Sequence, residues 1–416
     1  MSTILVYIDL QSGPFLVGRL WTRIRQGRES ATFEYDKEWL THSQRFSLEP
    51  ALHLDAGPQH TATDQVIFGA LGDSAPDRWG RTLMRYGERR RAEKEGRASR
   101  TLGESDYLLL VDDEARQGAL RFAIQEGGPF LAESEGVRIP PVIELPRLLA
   151  AADHVESETD TDEELRLLLA PGSSLGGARP KATVRENDGR LAIAKFPQRN
   201  DEFDVELWEA VTLTLAEQAG IRVPTWRVEH ISEKPVLLLS RFDRDGRQRI
   251  PFLSAMSMLG ARDHQARSYL EIADSLRRHG ASADADLQEL WRRIAFNVLV
   301  SNTDDHLRNH GFLYEGGRGW RLAPAYDLHP VPAEIKPRML STTITFDSPA
   351  ASLELALEVA EEFGLKPEEA RAVAREVGEA ASQWRQAAKQ LGIPEKAIPK
   401  MASAFEHSDL DMARAL

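Results

Sequence analysis

The stretch that decides the fold is residues 302–309, which read Asn-Thr-Asp-Asp-His-Leu-Arg-Asn. Within it, four residues separate Asp304 from Asn309. Phosphoryl transfer requires a carboxylate near the attacking hydroxyl and oxygen ligands for magnesium, while the protein mainly positions groups and neutralises charge. One short loop with this spacing can supply both. An apolar helix predicted at 287–300 and a strand after the loop would hold it rigidly. The stretch therefore predicts a catalytic loop.

A second acidic motif, Ala-Tyr-Asp, ends at Asp327. Two short β segments at 311–314 and 320–322 predict a hairpin that turns through two glycines. This hairpin would return Asp327 to the side of Asn309. Magnesium takes hard oxygen ligands, usually one or two carboxylates together with phosphate oxygens. We therefore predict that Asn309 and Asp327 bind Mg²⁺.

A lysine ends an apolar strand, Leu-Ala-Ile-Ala-Lys, at Lys195. The helix that follows carries Glu206 and Glu209. This order allows a strand lysine to reach nucleotide phosphates while a helix glutamate holds it. We predict that Lys195 contacts phosphate and favour Glu209 as its partner, with Glu206 as the alternative. The other interpretation is a lysine at a strand end that extends to solvent.

A glycine-containing loop occupies residues 173–181, Ser-Ser-Leu-Gly-Gly-Ala-Arg-Pro-Lys. It precedes a predicted hairpin whose turn is Asn-Asp-Gly, a strong hairpin signal. Adjacent glycines allow backbone N–H groups to approach phosphate oxygens. The segment matches neither G-x-G-x-x-G nor a Walker A loop. Its position predicts a loop that covers the nucleotide.

Composition limits the other classes of function. The 416 residues contain no cysteine, so disulfides, thiolate metal sites and cysteine nucleophiles are excluded. The net charge of -13 argues against broad binding of nucleic acid. We interpret a basic segment at 78–100 as a solvated helical face and loop, with contact to an acidic partner or DNA as the alternative. We found no membrane-spanning run and no secretory signal, and expect a cytoplasmic bacterial protein without membrane contact.

The order of predicted elements indicates an α+β fold. An N-terminal α+β subdomain is expected at 1–130, followed by a nucleotide-binding region at 131–245 and a helical region at 246–416. Strand, strand, helix, strand, strand in the middle region is the order of a kinase amino-terminal lobe. We therefore predict a two-lobed protein-kinase-like fold with an extra N-terminal subdomain and a mainly helical C-terminal lobe.

These motifs together resemble the HipA family, the kinase toxins of bacterial HipBA toxin–antitoxin modules. The resemblance covers most of the chain and is sharpest in 174–183, 194–197, 240–244, 302–309 and 325–328. It implies that Asp304 is the catalytic base of an ATP- and Mg²⁺-dependent serine/threonine kinase. The ATP contacts it implies are Gly176, Gly177, Ala178, Arg179, Pro180, Lys181, Lys195, Ser240, Arg241, Phe242, His306, Leu307, Arg308, Asn309, Tyr326 and Asp327. Ser240 stands where some members have a glutamate.

The resemblance also implies regulation and partners. Inhibitory autophosphorylation falls on Ser174, with Ser173 as the close alternative, and a phosphate there would add roughly two negative charges beside the nucleotide loop. The expected partners are a HipB-like helix-turn-helix antitoxin, DNA mainly through that antitoxin, and a protein substrate in translation such as an aminoacyl-tRNA synthetase.

Two other functions compete with this interpretation. An aminoglycoside-type phosphotransferase shares the Asp, Asn and Asp set, but usually has a histidine where this chain has Asn302. A catalytically silent regulator that associates with antitoxin and DNA is the second. The presence of Lys195, Asp304, Asn309 and Asp327 argues against silence.

Overall fold

Helices and strands alternate through the parts of the chain that the computed structural model describes, residues 3–25, 28–63, 65–132, 139–169, 177–263 and 265–416. The strands are β1 (Ile4–Leu10), β2 (Gly13–Arg25), β3 (Arg28–Tyr35), β4 (Gln59–His60), β5 (Leu120–Ala123), β6 (Lys181–Arg185), β7 (Leu191–Lys195), β8 (Trp226–Ile231), β9 (Lys234–Ser240), β10 (Arg244–Asp245), β11 (Gln248–Arg249), β12 (Phe252–Ser254), β13 (Arg267–Ser268), β14 (Gly311–Tyr314), β15 (Trp320–Leu322) and β16 (Thr342–Thr343). The helices are α1 (Lys37–Thr41), α2 (Gly69–Gly72), α3 (Arg78–Lys94), α4 (Glu104–Leu110), α5 (Leu145–Glu156), α6 (Asp162–Leu169), α7 (Val205–Gln218), α8 (Ala255–Met258), α9 (Tyr269–His279), α10 (Ala283–Leu299), α11 (Leu353–Glu358), α12 (Pro367–Ser382), α13 (Trp384–Gln390), α14 (Ala402–Phe405) and α15 (Ser408–Ala415).

The chain divides into two units. The first contains Met1–Asn200 and Glu229–Leu253, and the second contains Asp201–Val228 and Ser254–Leu416. The three-domain division expected from the sequence, with limits at 130 and 245, stays a prediction.

The first unit begins with a five-stranded sheet in the order β4-β3-β2-β1-β5. Its β1 residues Ile4, Val6 and Ile8 are buried and share one face, because successive side chains of a strand point to opposite faces. Close approach of β2 to β3 requires Gly18, since a Cβ atom there would lie 2.3 Å from the Glu34 carbonyl oxygen. This sheet lies within residues 1–130, where the sequence predicts an N-terminal α+β subdomain.

A second sheet of the first unit has the order β6-β7-β9-β8. The buried face of this sheet joins α3, α5 and α6 in one apolar core. Trp79 of α3 also donates a hydrogen bond from Nε1 to the Lys181 carbonyl at 3.1 Å. The predicted hairpin is confirmed, because Arg185 pairs with Leu191 around the turn.

The second unit is mainly helical and surrounds α10. Helices α9, α11 and α12 pack against α10, and Trp291 donates from Nε1 to the Ala356 carbonyl at 2.8 Å. At another core position, the Trp384 and Phe405 rings stack with centroids 4.8 Å apart. A long buried helix therefore leads directly into residues 302–309.

The hairpin predicted at 311–314 and 320–322 is confirmed in β14 and β15. The α+β fold class is confirmed. None of the helices in the described ranges is long and apolar enough to cross a membrane.

Candidate active site

Two adjacent aspartates in the loop after α10 lie in opposite environments. The Asp304 side chain is 69% exposed, whereas that of Asp305 is 3% exposed. The chain turns into the loop at Ser301, whose φ is +50°. Asp304 is therefore the carboxylate that an acceptor could reach.

Asp305 is the centre of a buried hydrogen-bond network. Its Oδ2 accepts from the Tyr269 hydroxyl at 2.5 Å and from Asn297 Nδ2 at 2.9 Å. It also lies 2.7 Å from His310 Nε2. Burial acts to raise the pKa of Asp305, but the charge and hydrogen bond of His310 outweigh it and lower that pKa. Burial together with the nearby carboxylate raises the pKa of Tyr269 well above its usual value. This buried network holds the 302–309 loop against the interior of the second unit.

Asn302 joins this loop to the chain after Asp327. Its Nδ2 donates to Asn297 Oδ1 at 3.0 Å, and its Oδ1 accepts from the His329 backbone N–H at 3.2 Å. The Asn302 side chain is buried, so both hydrogen bonds are shielded from water.

Tyr326 makes a second connection on the other side of Asp327. Its hydroxyl donates to the Arg308 carbonyl at 2.7 Å. Asp327 itself has a φ of +54°, a left-handed conformation that aspartate tolerates better than most residues. A small cavity is lined by both segments, through Ile221, Arg293, Phe296, Asn297, Asp305, Asn309, His310, Ala325, Tyr326 and Leu328. The hairpin thus returns the Asp327 segment to the loop, as the sequence predicts.

The acidic groups near Asp327 suit a hard cation. Ligand atoms of Glu209, Asp327 and His329 lie within 4.8 Å of one another, and His329 Nε2 is 3.6 Å from Glu209 Oε2. Asn309 donates from Nδ2 to the Asp304 carbonyl at 3.4 Å, which leaves Oδ1 as its ligand atom. Carboxylate and amide oxygens are ligands that Mg²⁺ accepts. The carboxylates of Glu209 and Asp327 therefore suit a divalent cation, and the binding of Mg²⁺ by Asn309 and Asp327 stays a prediction.

A lysine contacts the exposed aspartate. Lys336 Nζ lies 3.3 Å from Asp304 Oδ1. Both side chains are largely in solvent, so this pair contributes little to the free energy of unfolding. The pair shows that the chain around Lys336 lies beside Asp304.

Lys195 lies in the first unit, at the end of β7. It is 9% exposed and pairs across strands with Lys181 of β6 and with Leu237 of β9. Glu206 and Glu209 are buried on α7 in the second unit. The expected pairing of Lys195 with Glu209, or with Glu206, stays a prediction.

The loop expected to cover the nucleotide is only partly described. Ser173, Ser174 and Gly176 lie outside the described residues. Gly177 has a φ of +105°, a conformation that favours glycine. Ala178 is exposed, Arg179 donates to Gln198 Oε1 at 3.3 Å, and the Pro180 carbonyl accepts from the Phe196 N–H at 3.0 Å.

Lys181 forms a buried ion pair with Asp77. Its Nζ lies 2.8 Å from Asp77 Oδ2, and both side chains are 4% exposed. Asp77 also caps α3, because its Oδ1 accepts from the Gly80 N–H at 2.7 Å. In this arrangement the ammonium group holds the loop to α3.

Ser240, Arg241 and Phe242, which are expected to contact ATP, lie at the end of β9 and directly after it. Ser240 lies opposite Ala192 of β7, and the Arg241 N–H donates to the Leu191 carbonyl at 3.0 Å. Phe242 lies beside Phe252, with ring centroids 6.3 Å apart. The backbone here extends the pairing of β9 with β7 by one residue.

The side chain of Arg241 has a structural task. It donates to both carboxylate oxygens of Asp243, at 2.8 and 2.5 Å, and to the carbonyls of Ala115 and Arg116. Asp243 also accepts from the Gly118 N–H at 2.8 Å. The Arg241 and Arg244 charges hold the pKa of Asp243 far below its usual value despite burial. The Arg-Phe-Asp-Arg motif therefore joins β9 to the chain near 115–118.

Sequence reasoning missed the groups that support the predicted site. They are Tyr269, Asn297, Asp305, His310, His329, Lys336 and Asp77. Asp305 could have been noticed because it lies inside the predicted catalytic loop, directly after Asp304. Tyr269 and Asn297 carried no such signal, since they are distant in sequence and lie on ordinary amphipathic helices.

Comparison with known proteins places the chain in a family. Residues 12–103 match the HipA N-terminal domain, and residues 173–384 match the HipA-like C-terminal domain. The second match alone covers half of the chain, so the described α+β architecture is that of a HipA-type protein. The chain belongs to the HipA family.

Individual relatives of the chain are named as putative kinases. A Haemophilus influenzae protein named "Putative kinase" is 29% identical over 29% of this chain and 39% of its own length. "Putative kinase Y4mE" of Sinorhizobium fredii is 28% identical over 75% of each chain. The first match thus spans well under half of the Haemophilus protein.

A solved structure agrees at the level of the fold. The HipA chain in a complex of HipA, HipB and operator DNA from Shewanella oneidensis matches with a TM-score of 0.67. The identity is 18%, and the match covers 99% of both chains. The expected α+β, protein-kinase-like fold with a HipA-type N-terminal subdomain is confirmed.

Proposed function

We propose that this protein is an ATP- and Mg²⁺-dependent serine/threonine protein kinase and the toxin component of a type II toxin–antitoxin system. The observation that carries the proposal is the connection of the 302–309 loop to the Asp327 segment on both sides of Asp327. Asn302 connects to His329 and Tyr326 connects to Arg308. Two hydrogen bonds thereby hold a carboxylate beside a loop with the D-x-x-x-x-N spacing, which is the arrangement that phosphoryl transfer requires.

The proposed roles follow from exposure and donor chemistry. Asp304, which is exposed, accepts the proton of the attacking hydroxyl, and Asn309 and Asp327 bind Mg²⁺. When bound, the metal neutralises charge on the phosphate oxygens. Lys195 contacts the phosphates. The kinase names of the relatives and the HipA family support these roles.

The proposed regulation and partners rest on the family. Phosphate on Ser174, or on Ser173, would repel the nucleotide phosphates and inhibit the kinase. A HipB-like antitoxin would bind the protein and provide most contacts with DNA, by analogy with the Shewanella complex of HipA, HipB and operator DNA. The acceptor is a protein of translation, such as an aminoacyl-tRNA synthetase.

Transfer of the γ-phosphate from labelled ATP tests the proposal. We expect wild type to label itself and protein acceptors, whereas Asp304→Asn loses at least about 100-fold in rate because the general base is removed. Asp411→Asn, an exposed aspartate of α15, is the matched control and should retain the wild-type rate. Labelling of kanamycin and of no protein would identify a small-molecule phosphotransferase. Absence of transfer with every acceptor would indicate a silent regulator.

A further inference from the structure

A buried ion pair joins the N-terminus of α3 to the start of β6. Lys181 Nζ lies 2.8 Å from Asp77 Oδ2, although 104 positions separate the two residues, and both side chains are 4% exposed. Asp77 belongs to the segment that matches the HipA N-terminal domain, and Lys181 belongs to the segment that matches the C-terminal domain. Removal of one partner from a buried pair leaves an uncompensated charge. The position of Lys181 therefore depends on a residue of the other domain.

The carboxylate of Asp77 is itself held in place. Its Oδ1 accepts a hydrogen bond from the Gly80 N–H at 2.7 Å and so caps α3, while its Oδ2 contacts Lys181. Two residues further on, Trp79 donates from Nε1 to the Lys181 carbonyl at 3.1 Å and is 5% exposed. The N-terminus of α3 thus contacts both the side chain and the backbone of Lys181, and a capped helix holds both contacts rigidly.

The ammonium group of Lys181 also lies beside the loop that precedes it. A Cβ atom added at Gly177 would be 3.3 Å from Lys181 Nζ. Gly177 has a φ of +105°, so the chain bends here in a conformation that favours glycine. Residues 177–181 therefore bend back on themselves, and Gly177 lies next to the ammonium group that Asp77 holds.

A second lysine lies directly opposite Lys181. Lys181 of β6 pairs with Lys195 of β7 in the antiparallel register, and the two residues are 3% and 9% exposed. Side chains directly opposite each other share one face of the sheet, with Cβ atoms about 4.5–5.5 Å apart. Two ammonium groups at this spacing repel each other, and the Asp77 carboxylate reduces that repulsion and attracts Lys181 toward α3. Adjacent cations suit a ligand with several anionic oxygens, such as the phosphates of a nucleotide.

We infer that Asp77 is a positioning residue for nucleotide binding. Its carboxylate holds Lys181, and through Lys181 the residues from 177 onward, in the arrangement in which Lys181 and Lys195 contact the phosphates. The inference rests on the proposed kinase function and adds that the N-terminal domain supports the nucleotide site. Asp77 acts through Lys181, because a carboxylate in contact with phosphate oxygens would repel them. Its loss should therefore weaken nucleotide binding, whereas transfer at saturating nucleotide should continue.

Titration calorimetry of MgATP with the full chain tests this inference. Asp77→Asn keeps a cap oxygen for the Gly80 N–H and removes the charge that holds Lys181. We expect Asp77→Asn and Lys181→Met each to weaken MgATP binding at least about tenfold, because a hydrogen bond to a charged group is displaced or lost. The double variant should show about the larger single effect rather than the product, since both changes act on one ammonium group. At saturating MgATP, the rate of autophosphorylation by Asp77→Asn should stay within about threefold of wild type.

A buried ion pair in the C-terminal half of α3 provides the matched control. Glu88 is 5% exposed, and its Oε1 lies 2.6 Å from Arg97 Nη1. Glu88→Gln removes a buried charge from the same helix and should keep wild-type MgATP affinity, although it lowers the melting temperature. Thermal unfolding of each variant without nucleotide separates lost stability from lost affinity. Asp77→Ser, which retains a favoured helix cap, is the second variant if Asp77→Asn does not fold.

The outcomes separate this inference from the proposed function. Wild-type or tighter binding of MgATP by Asp77→Asn or by Lys181→Met overturns the inference, and so do independent effects of the two changes. An equal loss of affinity in Glu88→Gln overturns it too, because the effect then follows from lost stability. In each of these cases a wild type that transfers phosphate remains a kinase. Wild-type protein that binds no MgATP refutes the kinase function together with the inference.

Discussion

Asp304 and Asp305 are adjacent in the chain and have different tasks. The first is exposed beside Lys336, and the second accepts hydrogen bonds from Tyr269 and Asn297 in the interior. The D-x-x-x-x-N spacing was sufficient to select Asp304. It could not show that Asp305 supports the loop, because Tyr269 is separated from it by 36 positions and the contact depends on how α9 packs.

Removal of the buried charge of Asp305 should destabilise the protein, whereas removal of the exposed charge of Asp304 should not. We expect Asp305→Asn to lower the free energy of unfolding by about 3 kcal/mol, since a buried partner of His310 is lost. Asp304→Asn should change it by no more than about 0.5 kcal/mol. Because the pKa of Asp305 is lowered in the fold, its contribution is present above the unfolded pKa of about 4 and is lost as the pH falls. Urea unfolding at pH 7 and pH 3 measures this, and an equal difference at both pH values would contradict it.

At the scale of elements, the β14–β15 hairpin could be predicted from the sequence. The hydrogen bonds that hold the Asp327 segment against the loop could not. Two β-rich runs around adjacent glycines indicated a chain reversal, and the reversal brings the Asp327 segment to the loop. The two hydrogen bonds that secure it involve Asn302 and Tyr326, whose partners are backbone groups. Backbone partners carry no sequence signal, so these contacts could not be predicted.

The connection through Asn302 should matter more for rate than for nucleotide binding. We expect Asn302→Ala to lower kcat about tenfold or more, because the Asp327 segment loses its fixed distance from the loop. The KM for ATP should change by less than about threefold, and the free energy of unfolding should fall by about 1–3 kcal/mol. Asn200→Ala, an exposed position, is the control. A change in stability with an unaltered kcat would show that Asn302 is only structural.

A buried carboxyl group at the N-terminus of α2 predicts a dependence of stability on pH. Glu49 is 3% exposed and accepts from the Ala70 N–H at 2.5 Å. Burial raises the pKa of Glu49 to about 7, although the Ala70 hydrogen bond opposes the shift.

The sign of this effect is fixed by the raised pKa. The folded state holds the proton more tightly, so its stability is greatest below the unfolded pKa and falls as the pH rises toward 7. We expect Glu49→Gln to be more stable than wild type at pH 8 by about 2–3 kcal/mol and nearly equal at pH 4. Urea unfolding at the two pH values measures the difference. A variant that is less stable at pH 8 would contradict the burial of this charge.

At the scale of the whole molecule, the sequence predicted the family and the fold class but not how charge is distributed. The basic segment at 78–100 is partly neutralised, because Arg90 pairs with Asp160 and Asp162, and Arg97 pairs with Glu88. The two pairs of Arg90 join α3 to residues 70 and 72 positions further along the chain, and composition cannot reveal them. Several charges of this segment are therefore engaged in ion pairs within the protein.

The proposed kinase chemistry depends most on the expected meeting of Lys195, from the first unit, with Asp327, from the second, around one MgATP. Titration calorimetry of MgATP with wild type, Lys195→Met, Asp327→Ala and the double variant tests this directly. If both groups act on the same phosphates, each single change should weaken binding at least about tenfold, and the double change should weaken it by less than the product. Wild-type affinity in either single variant, or two fully independent effects, would contradict a shared nucleotide site.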